Sequence, residues 1–263
     1  MKSLLFVPAS REDRFKKAFS LNTSSVIFDL EDTVNEEGKS KARENIARFA
    51  GDNEEARFFV RINSFESNMH KEDLKLLDSI KPSLKGIMLP KADNKDEIES
   101  IEYKVLALIE SSLAVYSLES LIKARNLLAL SIGVLDLSLD MGLEEGCGKE
   151  FVLDTIKAKM VLVSKMFNLE KPLNGVYAKF EDKAGFKKEC ERVKSMGFGG
   201  ALCIHPNQVE IANDTYSPNA KELAWAKEIL RLAKMHDNAV FSFEGAMVDL
   251  PVILKAKSLL GEI

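Results

Sequence analysis

The stretch GIMLPK, Gly86–Lys91, is an apolar run that ends abruptly in a proline and a lysine. A run of this length with a turn former at its end is typical of a β-strand that is buried on both faces. The charged residue directly after it indicates that the chain leaves the protein core at that point. The same pattern, a short apolar run followed by polar side chains, recurs along the whole chain.

Eight apolar runs share this pattern, each bounded by turn formers or charged residues. They are Ser3–Pro8, Ser25–Leu30, Phe58–Asn63, Gly86–Lys91, Val105–Ser111, Leu128–Gly133, Gly175–Phe180 and Gly200–His205. Segments with helical spacing alternate with them, for example Lys39–Ala50, Ser117–Leu127 and Phe151–Phe167. Parallel strands need crossovers, which are usually helices, and eight strands can close into a barrel. The pattern therefore predicts an α/β protein with a (β/α)8 TIM barrel over residues 1–205.

The residues after the eighth predicted strand exceed what a barrel needs. One long amphipathic helix, with Pro218 near its start, is predicted within residues 206–240 and is expected to pack on the barrel. Gly245 then marks a turn, and Pro251 marks the start of a second helix. We expect residues 241–263 to form an appended helical arm or lid.

Composition bounds the class of protein. The chain has 263 residues and a net charge of −4. Hydrophobic residues make up 46% of it and charged residues 30%, which is ordinary for a globular protein. The negative net charge argues against a broad cationic surface for nucleic acid. The three cysteines, Cys147, Cys190 and Cys203, are widely spaced and suggest neither a disulfide framework nor a zinc site.

The hydropathy pattern bears on the compartment. The start, MKSLLFVPAS, is followed by charged REDR where a signal peptide would have small residues. No later run approaches the 18 or more apolar residues of a membrane span. We therefore expect a cytoplasmic protein with no membrane partner.

Polar side chains follow the predicted strands at the end where barrel active sites lie. In chain order they are Arg11, Arg14, Asp29, Glu31, Asp32, Arg61, Asn63, Lys91, Glu110, Asp136, Asp182 and His205. Residues where the chain leaves the core for water are usually polar whatever the function. Solvent exposure therefore explains any single residue of this set as well as a functional role does. The set favours an active site, because Arg61, Glu110 and Asp136 lie in or close to apolar runs, where an unpaired charge is costly.

Glu110 and Asp136 close the fifth and sixth predicted strands, which are neighbours in a barrel. Mg²⁺ is commonly held by one or two carboxylates, with substrate and water in the remaining positions. The pair therefore predicts a site for Mg²⁺, with Mn²⁺ as a substitute, although an arginine could bridge the two carboxylates instead. No Cys/His pattern competes for a softer metal.

Short motifs in a fixed order carry a family resemblance. They are Ser3–Ala18, Val26–Val34, Val60–Asn63, Ile87–Asp93, Leu108–Ser111, Gly133–Gly142, Gly175–Asp182, Gly197–Val209 and Gly245–Lys257. Together they resemble the citrate lyase β-subunit family, within the HpcH/HpaI aldolase/citrate lyase superfamily, which includes malyl-CoA and citramalyl-CoA lyases. The resemblance covers nearly the whole chain.

The resemblance implies a magnesium-dependent carbon–carbon lyase. Such an enzyme cleaves a 3-hydroxyacyl-CoA of the citryl-CoA, malyl-CoA or citramalyl-CoA type to acetyl-CoA and a 2-keto acid, or runs the reverse condensation. It is usually a homotrimer or a higher oligomer, and subunits of a citrate lyase complex are further partners to consider. Glu110 and Asp136 match the metal ligands, and Arg61 matches the arginine that holds the keto-acid oxygen.

Other residues take roles from the same resemblance. Asp249, on the predicted arm, matches the aspartate that exchanges a proton with the acetyl-CoA methyl carbon, and it is expected to come from a neighbouring subunit. On sequence grounds alone Asp249 reads as a helix cap before Pro251. Three basic residues match a segment near the CoA phosphates, although they could equally be a solvated helix face: Arg11, Arg14 and Lys17. Three acidic residues are expected to orient Arg61 and metal-bound water: Asp29, Glu31 and Asp32.

The chain also departs from the family pattern. Glu110–Ala114 reads ESSLA where relatives commonly have Glu-Thr followed by a glycine, which suggests a different keto-acid pocket. One alternative is a magnesium-dependent aldolase for free hydroxy-keto acids without CoA. Those relatives use a histidine after the second strand, and Asp29–Asp32 contains none. The other alternative is a non-catalytic binding or regulatory member of the fold, which the intact metal and proton-transfer residues oppose.

Overall fold

A closed barrel of eight parallel strands lies at the centre of the fold. The strands are β1 (Ser3–Pro8), β2 (Ser25–Asp29), β3 (Phe58–Arg61), β4 (Leu84–Leu89), β5 (Val105–Ile109), β6 (Leu127–Ile132), β7 (Leu173–Asn174) and β8 (Gly200–Cys203). β1 pairs with both β2 and β8, which closes the ring. This computed structural model describes residues 1–237 and 240–262, and it confirms the predicted α/β barrel.

Helices connect the strands and continue after the last one. They are α1 (Phe15–Phe19), α2 (Lys39–Asp52), α3 (His70–Ser79), α4 (Lys95–Ser100), α5 (Ser112–Leu121), α6 (Val134–Asp140), α7 (Cys147–Met166), α8 (Lys183–Met196), α9 (Pro206–Tyr216), α10 (Ala220–Met235) and α11 (Leu250–Leu260). Over residues 1–237 and 240–262, none of these helices has the length and apolar character that crossing a membrane would take.

Side-chain alternation along the strands divides the core into two layers. One cluster fills the barrel interior, and its members include Leu4, Ile27, Phe59, Met88, Leu106, Leu108, Ala129, Leu173 and Leu202. The alternate residues, such as Leu5 and Phe28, join a larger cluster that packs beneath the helices. Because successive strand residues point to opposite faces, the residue two positions after an interior residue also points into the barrel.

An aromatic cluster joins the first strands to the helices outside them. The ring centroid of Phe28 in β2 lies 4.1 Å from that of Phe15 in α1 and 4.7 Å from that of Phe58 in β3. Phe49 of α2 lies 5.5 Å from Phe28 with its ring nearly perpendicular. Phe28 is fully buried, so this one side chain holds two helices against the barrel wall.

The seventh strand differs from its prediction. Gly175–Phe180 was expected to form it, but β7 comprises Leu173 and Asn174 alone. Beyond Asn174 the backbone carbonyl of Tyr177 accepts a hydrogen bond from the Gln208 side chain rather than from a neighbouring strand. The prediction of a buried strand over Gly175–Phe180 was therefore wrong, since only Gly175 of this run is buried and Ala178–Phe180 are exposed.

The single helix predicted within residues 206–240 is two helices. α9 ends at Tyr216 and α10 begins at Ala220, with Pro218 between them. Proline has no N–H to donate and disfavours helical backbone in the residue before it. Asn219 then caps α10 through a reciprocal pair of hydrogen bonds with Glu222. Residues 238 and 239, at the end of the predicted segment, and residue 263 of the predicted arm lie outside the described residues.

The chain divides into two units, Met1–Tyr216 and the residues from Ser217 onward. The second unit has its own apolar core, made from α10, α11 and an antiparallel hairpin of β9 (Phe241–Phe243) and β10 (Ala246–Val248). Ile229 of α10, Phe241 of β9 and Ile253 of α11 are buried in it. The second unit is thus a small folded body with a core rather than an extended tail.

Replacing Phe28 by alanine tests the role of the aromatic cluster. Because Phe28 is fully buried against four other rings, Phe28→Ala should lower the free energy of unfolding by about 3–5 kcal/mol. The measurement is urea unfolding followed by circular dichroism. Phe151→Ala is the matched control, since that side chain is 74% exposed and its loss should cost within about 0.5 kcal/mol. Equal losses in the two variants would contradict the packing described here.

Candidate active site

Three charged residues continue the interior face of the barrel at its carboxyl end. Asp29, Arg61 and Glu110 each come two positions after an interior residue, namely Ile27, Phe59 and Leu108. Strand alternation therefore turns all three side chains toward the mouth of the barrel. All three are buried.

Asp29 and Arg61 form a two-pronged ion pair at this mouth. They are register partners on β2 and β3, and Arg61 donates from Nε to Asp29 Oδ1 and from Nη2 to Oδ2, both at 2.7 Å. Burial alone would raise the pKa of Asp29, but the hydrogen bonds from Arg61 outweigh it and the pKa is lowered. The ring of Phe6 in β1 lies beneath the guanidinium, 4.9 Å from Cζ. Arg61 is thereby held charged and in one orientation.

Two further carboxylates face the other edge of the same guanidinium. Arg61 Nη1 lies 2.9 Å from Glu31 Oε2 and 3.0 Å from Asp32 Oδ2. The pKa of Glu31 is raised to about 8, chiefly by burial; Arg61 opposes the rise, and the charges of Asp32, Glu110 and Asp29 contribute to it. The structure thus brings together the three acidic residues of the Asp29–Asp32 segment around Arg61.

Glu110 directly follows β5, and one of its two carboxylate oxygens is hydrogen-bonded to the protein backbone. Oε1 accepts a hydrogen bond of 2.8 Å from the backbone N–H of Lys91, a residue with left-handed backbone at φ 46°. No hydrogen bond within the described ranges reaches Oε2. The pKa of Glu110 is raised to about 7, chiefly by burial and also by the nearby charges of Asp136 and Asp32, while the Lys91 N–H opposes the rise.

Asp136 lies in the first turn of α6 and not at the end of the sixth strand, where the sequence placed it. Gly133, between β6 and α6, permits the approach: a Cβ atom there would lie 2.5 Å from Glu110 Cβ. Asp136 is exposed, and its charge raises the pKa of Glu110. The two carboxylates therefore lie within electrostatic reach of each other.

The donor set of this mouth fits a hard divalent cation. Five carboxyl groups and one guanidinium interact there, so negative charge is in excess. They are Asp29, Glu31, Asp32, Glu110 and Asp136, with Arg61. In the part of the chain that the structure describes, no three Asp, Glu, His or Cys side chains form a metal site by themselves. Two carboxylates completed by substrate and water is the arrangement that Mg²⁺ accepts.

A buried lysine supports the acidic segment and was missed in the sequence. Lys39 Nζ donates to the backbone carbonyls of Leu30 and Glu31, at 2.8 and 3.1 Å, and to Asn63 Oδ1 at 2.6 Å. Asn63 Nδ2 in turn donates to the fully buried Asp73. A lysine at the start of a polar helix is expected to be solvent-exposed. Nothing in the sequence therefore indicated that Lys39 is buried and binds this segment.

The other predicted site residues have contacts of their own. Arg11 is paired with Asp13 at 2.8 Å, and both are exposed. Arg14 and Lys17 are exposed. Within the described ranges, no ion pair links these basic residues to Asp29, Glu31 or Asp32. Asp249 caps α11 by accepting from the Val252 N–H at 3.4 Å.

Named proteins and solved structures resemble this chain over nearly its full length. A Homo sapiens protein named citramalyl-CoA lyase, mitochondrial, is 26% identical over 285 residues, which span 98% of this chain and 84% of the human one. A citrate lyase subunit beta-like protein of Mycobacterium tuberculosis is 31% identical over 262 residues, or 97% of this chain and 93% of its own length.

A solved structure agrees with these relatives. The crystal structure of protein CitE from Mycobacterium tuberculosis, in complex with magnesium, acetoacetate and coenzyme A, superposes with a TM-score of 0.86 and 29% identity. The superposition covers 99% of this chain and 97% of that one. Residues 2–105 and 101–206 also match the sequence profile described as HpcH/HpaI aldolase/citrate lyase. The chain therefore belongs to the HpcH/HpaI aldolase/citrate lyase family, as its motifs predicted.

Proposed function

We propose that this protein is a magnesium-dependent carbon–carbon lyase acting on a 3-hydroxyacyl-CoA. Its substrate is of the citramalyl-CoA, malyl-CoA or citryl-CoA type, and its products are acetyl-CoA and a 2-keto acid, or it runs the reverse condensation. The observation that carries the proposal is the pair Glu110 and Asp136 beside an arginine that Asp29 holds in place. The relative named citramalyl-CoA lyase and the CitE complex with magnesium and coenzyme A support the same reaction class.

The metal would be held by Glu110 and Asp136. Glu110 Oε1 is occupied by the Lys91 N–H, so Oε2 is the oxygen that remains for the cation. When bound, Mg²⁺ supplies Lewis-acid polarisation of an oxygen on the carbon where the bond forms or breaks. Its positive charge would also offset the burial and the neighbouring carboxylate charges that raise the pKa of Glu110.

Arg61 would bind the same end of the substrate. Its guanidinium is fixed by two hydrogen bonds to Asp29 and by the Phe6 ring, so little reorganisation is needed when negative charge develops nearby. Preorganised donors of this kind are commonly the largest single contribution to catalysis. Glu31 and Asp32, both at Nη1, would orient Arg61 and nearby water.

The proton of the reaction is assigned to Asp249. In the cleavage direction the substrate hydroxyl gives its proton to a base and the carbon–carbon bond breaks. The electron pair passes to the acetyl carbon, which takes up a proton from the Asp249 carboxyl group, so the proton released balances the one consumed. A carboxyl group at the start of α11 suits that last transfer, because the cap hydrogen bond to Val252 is long, at 3.4 Å, and the side chain is only partly buried.

A second copy of the chain is the proposed carrier of that aspartate. In the second unit Met247, Leu250 and Leu254 are exposed beside Asp249. In the first unit Tyr116 of α5 and Leu139 of α6 are more than four-fifths exposed. Apolar surface of this kind, flanking the site residues of each unit, suits contact between subunits. We therefore propose a homotrimer or higher oligomer in which residues 241–263 act as an arm over a neighbouring barrel.

The CoA moiety would meet the basic residues after β1. Arg14 and Lys17 are exposed and can contact phosphate, whereas Arg11 is already paired with Asp13. A phosphate would have to compete with Asp13 for Arg11. Arg14 and Lys17 are therefore the stronger candidates of the three.

A panel of CoA thioesters tests the function. Citramalyl-CoA, malyl-CoA and citryl-CoA are incubated with the protein and Mg²⁺, and acetyl-CoA and the 2-keto acid are quantified by chromatography. We expect both products in equal amounts from one of these thioesters and none after chelation with EDTA. Cleavage of a free hydroxy-keto acid would favour the aldolase without CoA, and no turnover of either class would favour a binding role.

Removing either proposed metal ligand should abolish metal binding and turnover together. Glu110→Gln and Asp136→Asn each keep the size of the side chain and remove its charge. Calorimetric titration with Mg²⁺ should show binding to the wild type and none to either variant. Glu54→Gln is the control, since that glutamate is an exposed residue outside this cluster. Normal Mg²⁺ affinity in either ligand variant would remove it from the site.

Asp249→Asn should separate metal binding from chemistry. We expect unchanged Mg²⁺ affinity and a fall in kcat of about 10²–10⁴-fold, because the proton carrier alone is lost. Full activity would exclude Asp249 from the proton transfer.

Mixed oligomers extend this test to the neighbouring copy. Asp249→Asn and Glu110→Gln chains, each inactive alone, are co-expressed and purified together through two different tags. If the aspartate acts on a neighbouring barrel, the mixture recovers part of the wild-type activity. Recovery does not occur if each barrel uses its own Asp249.

A further inference from the structure

The three residues that follow β5 are hydrogen-bonded to the segment after β4 and to α6. Three consecutive residues make the connections. Glu110 accepts from the Lys91 N–H at 2.8 Å, and Ser111 Oγ donates to Asp93 Oδ1 at 2.5 Å. The Ser112 N–H donates to Asp140 Oδ2 at 2.6 Å. Lys91 and Asp93 follow β4, whereas Asp140 ends α6. One tripeptide thus ties the β4 side of the rim to the α6 side.

The hydrogen bond between Ser111 and Asp93 stabilises the turn at Lys91, whose N–H binds Glu110. The Asp93 N–H donates to the Lys91 carbonyl at 2.9 Å, which closes the tight left-handed turn at Lys91. Ser111, the acceptor that caps α5 at the Ala114 N–H, holds Asp93 by its hydroxyl. This turn therefore directs the Lys91 N–H toward Glu110 Oε1. Ser111, the residue after Glu110, holds the turn in place through Asp93.

The Asp140 connection holds the helix that carries Asp136. Asp136 and Asp140 lie four residues apart on α6, so they share one helix face. Asp140 bonds Ser112, two residues after Glu110, and hydrogen bonds from the side chain and backbone of Ser112 lower the pKa of Asp140. Gly133 packs against Glu110 at the other end of α6. The position of α6 relative to Glu110 is thus fixed at two points.

We propose that Asp93 and Asp140 are positioning residues that set the spacing of the two metal-ligand carboxylates, Glu110 and Asp136. The proposal rests on the proposed function for the identity of those ligands. Neither Asp93 nor Asp140 needs to contact the cation; each acts through the serine that it binds. The Ser111–Ser112 pair is the element through which both act.

The hydrogen bonds of Asp93 and Asp140 control the selectivity of the site for Mg²⁺ over Ca²⁺. Mg²⁺ requires nearly ideal octahedral ligands at 2.0–2.1 Å, whereas Ca²⁺ tolerates irregular ligands at 2.3–2.6 Å. Loosening the spacing of two carboxylates therefore penalises Mg²⁺ more than Ca²⁺. A general loss of stability or of negative charge would instead weaken both ions by the same factor.

The test compares alanine and asparagine variants by calorimetric titration with Mg²⁺ and, separately, with Ca²⁺. Asp93→Ala and Asp140→Ala remove the acceptor oxygen, and we expect about 10-fold weaker Mg²⁺ binding in each. Ca²⁺ binding should weaken by less than about 3-fold, since its ligand geometry is flexible. Asp93→Asn and Asp140→Asn keep an acceptor oxygen and lose the charge, so the Mg²⁺/Ca²⁺ affinity ratio should stay at its wild-type value.

Asn94→Ala is the matched control for folding. Asn94 follows Asp93 and caps α4 by accepting from the Asp96 N–H, so its loss lowers the melting temperature without touching Ser111. Its Mg²⁺/Ca²⁺ ratio should equal that of the wild type. A wild-type ratio in both alanine variants would overturn the positioning role. Failure of the wild type to bind Mg²⁺ would overturn the proposed metal site instead.

Discussion

The buried ion pair between Asp29 and Arg61 is the constraint on which the mouth of the barrel depends. A guanidinium in a barrel interior is tolerated only when a carboxylate meets it with good geometry, because removing one partner leaves an uncompensated buried charge, at a cost of about 3–5 kcal/mol. Here the two residues are register partners on adjacent parallel strands, so the sheet itself holds them at bonding distance. Glu31 and Asp32 then collect at the remaining edge of the same guanidinium.

The rest of the site follows from an excess of negative charge in a place with little water. Burial raises the pKa values of Glu31 and Glu110 to about 8 and 7, and each carboxylate increases the effect on the next. Such a cluster is stable with protons or with a cation. The interior face of the barrel supplies the dry environment, and the loops after the strands supply the oxygens. The chemistry therefore arises where the packed core ends.

The sequence predicted the barrel well because each strand is a separate local pattern and closure follows from their number. It also predicted that Asp29, Arg61 and Glu110 lie at the carboxyl ends of strands, since charges at the ends of apolar runs are visible in the sequence. It misplaced the seventh strand, because the apolar residues of Gly175–Phe180 lie in a half-buried to exposed segment after β7. It also began the helix after β5 at Ser117 rather than at Ser112. The supporting contacts of Lys39, Asp93 and Asp140 were invisible, since each joins residues distant in the chain through a backbone group or a short side chain.

The two-residue β7 makes the barrel wall uneven. β7 contacts β6 through a single register pair, Ser131 with Leu173, and β8 through two. A seam with so few ladder bonds opens locally at a lower free energy than the rest of the wall. β7 lies diametrically opposite β3 in the ring, which carries Arg61. Local opening of the barrel is therefore expected at β7, away from the ladder between β2 and β3 that pairs Asp29 with Arg61.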